Sequence, residues 1–390
     1  MRISLLEFDY HAEVLRNSLR ILSGDEFEIC VFTKASIWKK VDWQDEDQKV
    51  TLLKDGDNLQ SFLHRHLNSI NESELILINT AASNFKTWSE VNFTAPSLLR
   101  IHNGNANFNT LSNSYRPIWS PFFICKDFSH FLRKIVFKRD DYFQKRFVKK
   151  IDHFAFPNDL MRDFAVEKFQ LEAKRSWALP FSFWEKKLAQ KKPDPQKIQI
   201  SIIGKIDQRN RDYNQVVKAC LLIGPILEAL NIELELCLLG KAQGSYANTI
   251  IKAFKSISTD YFKVKYYPNF VPQIEFETKI QNTDFLIIPT RIDTRFTIYK
   301  EWYGSTKISG SVNDVIHYHR FALIEGKYPV PSNIKQAFSP YHGPQDLADQ
   351  IVQQIQSRAY AKLDFPKILA DYQIENVRQQ YLSSFKEICL

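Results

Sequence analysis

The chain has 390 residues, 44% of them apolar and 25% charged; this is globular composition, at a length that exceeds one ordinary core, so two domains are expected. A net charge of +8 points to an anionic partner: a nucleotide, nucleic acid or an acidic membrane face. There is no low-complexity tract, no repeat and no apolar run near the roughly 20 residues of a membrane span, and the five scattered cysteines, without a C-x-x-C pair, fit reduced thiols in a cytoplasmic compartment.

The opening "MRISLLEFDYHAEVL" is too acidic, and its apolar run too short, for a signal peptide. It predicts a strand, "RISLLEFD", then a helix, "HAEVLRNSLRIL". "FEICVFT", "SELILINTA" and "PSLLRIHN" predict three more strands, each too continuously apolar for a half-exposed sheet. Between Pro121 and Lys150 the chain turns aromatic and basic, and "IDHFAFPNDLMRDFAVEKF" predicts a strand, a turn and a helix starting near Asn158. "KKPDPQK", Lys191–Lys197, reads as a linker. After it the alternation restarts: strand "IQISIIGKI", helix "YNQVVKACLLIGPILEAL", strand "IELELCLLGKA", strand "FKVKYYPNF", short helix "PQIEFETKIQN" and strand "DFLIIPT". The next stretch, "EWYGSTKISGS", places two of the chain's eleven glycines around Lys307. Two βα alternations separated by a linker predict an α/β protein with two doubly wound, Rossmann-like domains. They face across a cleft at the carboxyl ends of their strands.

The second half carries a resemblance. "SIIGKIDQRNRDYNQVVKA" gives a strand, Gly204, Lys205 and, further on, Arg211; "ELCLLGKAQG" gives a strand and Gly240; "EWYG" gives Glu301, Tyr303 and Gly304. This layout resembles the GT-B glycosyltransferases, in particular the large retaining family that uses nucleotide-sugar donors without a metal. The resemblance implies an acceptor-side domain over 1–190, a donor domain over 191–370 and a C-terminal helix, 371–390, crossing back to the first domain. It implies a nucleotide-diphosphate sugar as donor and no cofactor or metal. Lys205 and Arg211 would meet the diphosphate beside Gly204, and Glu301 the donor sugar. The family's second glutamate, eight residues after the first, is Ser309 here; a serine can bond a ribose hydroxyl but carries no charge. Tyr303, Gly304, Lys307, Ser309 and Gly310 complete the donor loop on this reading, with the N-terminus of the following helix facing the anion.

In the first domain, His102 in "LLRIHNGNANFN" matches the family's histidine near the sugar, and His11 is a second catalytic candidate at the end of strand one. The family's glycine-rich turn after that strand is missing from "EFDYHAEV". His64/His66 and His317/His319 do not suggest a metal, because residues two apart on a helix point to opposite sides.

The segment Lys126–Lys150 holds nine Lys or Arg against three Asp. Phe128, Phe131, Leu132 and Ile135 would form one apolar helical face, the pattern of an interfacial helix on anionic lipid and equally of a domain-packing helix with a basic outer side. No recognition motif supports nucleic acid. The implied activity is transfer of a sugar to a hydroxyl acceptor on a glycan, a lipid-linked saccharide or a protein, in the cytoplasm or peripherally on the inner membrane face. A non-catalytic nucleotide-sugar-binding or scaffold protein fits the serine at 309. A sugar-nucleotide epimerase of the same fold would need a carboxylate pair that the sequence does not display.

Overall fold

The structure, a computed structural model, describes residues 1–43, 48–108, 128–129, 132–186, 194–296 and 299–390. In chain order, β1 (Arg2–Glu7), β2 (Glu28–Lys34), β3 (Lys49–Leu53), β4 (Leu75–Thr80), β5 (Ser97–Arg100), β6 (His153–Phe156) and β7 (Ser176–Ala178) form one sheet. Its order is β3-β2-β1-β4-β5-β6-β7, with every pair parallel. All six residues of β4 are buried, as are five of the six in β1. That is the burial of parallel strands with helices on both faces, and it explains their unbroken apolar runs.

The second half repeats the plan. β8 (Lys197–Ile203), β9 (Glu233–Lys241), β10 (Phe262–Tyr267) and β11 (Phe285–Ile288) are followed by a hairpin, β12 (Asp293–Phe296) and β13 (Tyr299–Trp302), then by β14 (Ala322–Glu325) and β15 (Phe338–Tyr341). The parallel sheet has the order β10-β9-β8-β11-β14-β15, and the antiparallel hairpin stands outside it. In each sheet the order reverses beside the first strand, at β1/β4 and at β8/β11. Such switch points leave a crevice at the carboxyl ends of the strands.

The last helix, Ile374–Ile388, buries Ile374, Val377, Tyr381, Phe385 and Ile388. These pack in one cluster with Ile3, Leu5 and Leu15 of the first domain. Arg100 of β5 donates to the Tyr381 hydroxyl at 2.6 Å, so the tail is also pinned by polar contact.

The basic segment differs from a single interfacial helix. A π-type turn over Leu132–Phe137 is followed by a separate helix, Asp140–Lys150, with Arg139 between them at φ +51°. Of the anticipated apolar face, Phe131 lies outside the described residues. Phe128, Val136, Phe137 and Tyr142 are exposed, as are Lys138, Arg139, Lys145, Arg146 and Lys149. No helix among the described residues is long and apolar enough to cross a membrane.

Candidate active site

On the second-domain side, Gly204 follows β8 directly at φ +100°. A Cβ there would lie 2.2 Å from the Arg211 guanidinium, and one on Gly240 would strike the Gly204 carbonyl at 2.2 Å. Glycine at both positions is what lets the ends of β8 and β9 stack and Arg211 lie over the turn. Arg211 donates to the Lys205 carbonyl at 3.3 Å and to Ser311 Oγ at 3.4 Å. Its backbone bridges Thr290 after β11. Ser311 is the second residue of the helix Gly310–Tyr318, so that helix begins beside Arg211. Gly204, Lys205, Arg211 and Gly310 therefore meet at the switch point of the second sheet.

Of these, Lys205 lines a cavity of about 460 Å³ together with Asp207, Arg209, Arg291, Asp293 and Arg295 and the start of the helix Ser245–Ser256. Both carboxylates of this set are tied to cations: Asp207 to Arg209 at 3.2 Å within it, and Asp293 at 3.0 Å to Lys300 outside it. Cations outnumber acids along the lining, which suits a polyanion. Burial pushes the Asp314 carboxyl, one turn beyond Ser311, up to about 7 against the opposing pull of Arg211.

The loop after β13 joins the two domains. Glu301 is fully buried. Its carboxylate accepts the amide of Ala106 at 2.8 Å and that of Asn105 at 3.3 Å, both from the first domain. The Asn105 side chain donates to the Lys300 carbonyl at 2.8 Å, and Gly104 donates its N–H to the Thr306 carbonyl at 2.8 Å. Asn103 and Lys307 form a further backbone bridge. The sequence reading put Glu301 beside the donor sugar; here its oxygens are taken up by backbone donors across the domain boundary. Burial raises its pKa to about 7, with Thr306 and the two amides opposing.

Around it, the Lys307 ammonium lies 5.3 Å from the centre of the Tyr303 ring, and burial lowers its pKa while Glu301 works the other way. Gly304 donates to the Lys307 carbonyl at 2.7 Å. Ser309 is 4% exposed and precedes the helix without a side-chain cap bond; its amide approaches the Tyr328 hydroxyl at 3.4 Å. A buried serine is not open to a ribose in this arrangement, whereas Gly310 is exposed.

On the first-domain side, the rings of His11 and His102 stack at 5.5 Å. His102 Nε2 lies 2.9 Å from the Asn79 carbonyl, which can only accept, so Nε2 carries the proton and Nδ1 keeps a lone pair. Burial, reinforced by His11, lowers its pKa to about 4, so the ring is neutral at neutral pH. His11 Nδ1 meets Glu13 Oε1 at 3.1 Å. Both histidines line a small cavity of about 30 Å³ with Asn103, Asp140 and Tyr299 of the hairpin. Among the described residues no group of three or more His, Cys, Asp or Glu is placed to hold a metal.

Sequence reasoning missed Glu7, Arg209, Arg291 and Arg295. The arginines had a signal in the density of basic residues in "KIDQRNRD" and "TRIDTRF". Glu7, fully buried at the end of β1 with a pKa raised by burial to about 7, had none.

No family model and no curated protein matches the chain. Solved structures do. Anabaena HepE in complex with UDP superposes with a TM-score of 0.62 at 12% identity, over 99% of this chain and 100% of that one. The N-terminal domain of Candida albicans trehalose-6-phosphate phosphatase gives 0.61 at 9%, over 100% and 97%. OtsA in its apo form gives 0.57 at 8%, over 99% of each. At such identities the likeness is one of fold: two facing Rossmann-like domains in the GT-B arrangement.

Proposed function

We propose that the chain is a glycosyltransferase that moves a sugar from a nucleoside-diphosphate donor to a hydroxyl acceptor, without a metal. The observation that carries this reading is the turn after β8. There Gly204, Arg211 and the start of the helix Gly310–Tyr318 come together, and Lys205, next in the turn, opens onto a cavity rich in cations. A departing nucleoside diphosphate develops negative charge, and preorganised guanidinium, ammonium and backbone N–H groups stabilise it where no metal does so. HepE, similar in fold, was crystallised with UDP and with UDP and glucose. Retention of configuration is supported by the motif resemblance alone.

In this mechanism Lys205 and Arg211 bind the diphosphate, and Lys307 adds positive charge from the donor loop. His102, neutral, accepts a hydrogen bond from a sugar hydroxyl through Nδ1. Glu301 contributes by fixing the Asn103–Ala106 loop, and with it His102, against the donor loop. Joined domains exclude water and limit donor hydrolysis. The exposed basic and aromatic side chains of 136–149 fit an acceptor presented at an anionic membrane.

A thermal-shift series with nucleoside diphosphates and nucleotide sugars tests the donor, since a ligand of the native state raises its midpoint. Lys205→Ala and Arg211→Ala should each weaken diphosphate binding by roughly 1.5–3 kcal/mol, the worth of a charged hydrogen bond. Unchanged affinity in both would overturn the assignment. The buried Ser309 and the engaged Glu301 favour one other reading, a nucleotide-sugar-binding protein without turnover. Ligand binding with neither transfer nor donor hydrolysis would establish that instead.

A further inference from the structure

Arg100 closes β5 two residues before His102, and only 2% of it is exposed. Its partners are neutral: Nη1 donates to Ser18 Oγ at 2.7 Å and Nη2 to the Tyr381 hydroxyl at 2.6 Å, while the rings of Phe181 and Tyr381 stand 5.0 and 5.5 Å from its Cζ. Nε makes no hydrogen bond among the described residues. A cation buried on such terms is costly, and a methionine or leucine would fill a core position without that cost. Two paths lead from the guanidinium to His102. In the first, the Ser18 hydroxyl is shared between the Val14 carbonyl at 2.8 Å and Asn79 Oδ1 at 3.0 Å, and the Asn79 carbonyl accepts the N–H of His102 Nε2 at 2.9 Å. The second runs through Phe181, whose ring also lies 5.2 Å from that of His102. Arg100 and His102 line the same small cavity.

Tyr381 belongs to the helix Ile374–Ile388, which returns from the second domain. Its hydroxyl donates to the Pro180 carbonyl at 3.0 Å, which leaves its lone pairs to Arg100. We propose that Arg100 is a positioning residue for His102 and that Tyr381 holds it in place, so that the end of the chain completes the active site as well as the core of the first domain. The Asn79 carbonyl fixes the proton on Nε2, and the Phe181 ring fixes the plane of the imidazole beside the guanidinium. Besides burial, His11 and Arg100 disfavour protonation of the ring and Glu13 favours it; Asp140 and Tyr299 reach the same cavity from the helix Asp140–Lys150 and the hairpin. Nδ1 is thereby kept as an acceptor. The effect on turnover rests on the glycosyltransferase reading, whereas the hold on His102 does not.

Two variants of the full chain test the proposal. Tyr381→Phe keeps the buried ring and removes only the hydroxyl; Arg100→Met keeps an unbranched apolar stem and removes the charge. Nitrogen NMR of the imidazoles, assigned with His102→Gln, reads tautomer and titration without turnover. In the wild type His102 should be neutral at pH 7 with its proton on Nε2. Its ring nitrogen shifts should move in both variants, and in Arg100→Met it should titrate at higher pH. Transfer should slow about tenfold or more in each, as expected of a misplaced group, with nucleoside-diphosphate affinity unchanged. Neither substitution should slow a His102→Gln protein further, because residues acting through one another are not additive. His102 resonances that stay in place in both variants would overturn the proposal, as would an equal slowing in the His102→Gln background. Moved resonances with no transfer by any of these proteins would uphold the link to His102 and overturn the glycosyltransferase reading instead.

Discussion

The Glu301 carboxylate is held by two neutral backbone donors and sits near one lysine whose own charge is disfavoured by burial. Burial raises its pKa from the ordinary 4.5 to about 7. The sign of the consequence follows from proton counting. Below about pH 4.5 the group is protonated in both states, and its contribution is fully present. Between about 4.5 and 7 the unfolded chain releases the proton while the folded one keeps it, so stability falls as pH rises. Above about 7 the loss is constant. Glutamine does not titrate, so the stability of the wild type relative to Glu301→Gln should fall across that window and then level; this difference cancels opposing groups such as His102, which both proteins contain. Thermal midpoints of the two proteins at matched pH test it, and parallel curves would refute it. At neutral pH Glu301→Gln should spare nucleotide binding and lower transfer, because its amide group faces a backbone N–H. Glu301 also marks where the sequence stops being legible. Gly204, Lys205 and Arg211 lie within eight positions and could be read as one anion-binding turn. The partners of Glu301 lie 195 and 196 positions away and are backbone groups, which no residue type announces.

At the level of elements, strands buried on both faces declare themselves by long apolar runs, and β1, β2, β4 and β11 were legible for that reason. The β12–β13 hairpin was not. Its alternating inner residues include Thr294 and Glu301, paired across the strands and both buried, and inward polar groups hide the period of two. The basic segment Lys126–Lys150 reads as one stretch by charge, but its backbone turns at Arg139, at φ +51°, between a π-type turn and a separate helix. What survives is a surface of exposed Phe137 and Tyr142 amid exposed lysines and arginines. It should bind anionic vesicles with an affinity that declines as salt rises, and neutral vesicles far less. Phe137→Asp with Tyr142→Asp should reduce that binding without moving the thermal midpoint, as both side chains are more than half exposed. Equal binding to neutral and anionic vesicles in a flotation assay would count against the electrostatic account.

The chain passes between the two parallel-sheet domains twice, once around residue 194 and once into the helix Ile374–Ile388, which returns to the first domain after the second is complete. The alternation before and after the linker made the two sheets legible, and the amphipathic tail made its helix legible. That Arg100 is buried at the end of β5, with Tyr381 as acceptor and the rings of Phe181 and Tyr381 beside it at 5.0 and 5.5 Å, had no counterpart in any local pattern. The arrangement makes the first domain dependent on the end of the chain. The helix buries five apolar or aromatic side chains, and at roughly 1.5–3 kcal/mol each their removal costs on the order of 10 kcal/mol. Total stabilities of domains are roughly 5–15 kcal/mol. Deleting residues 374–390 should therefore unfold the first domain while leaving the second, whose core cluster runs from Trp184 to Tyr372 without this helix. Limited proteolysis of the truncated chain should yield a resistant fragment that begins just before Trp184, and that fragment should retain nucleoside-diphosphate binding if the turn at Gly204 is the donor site. Digestion of both halves together would show that the second domain does not stand without the first. Resistance of both would show that the returning helix contributes far less than its buried surface implies.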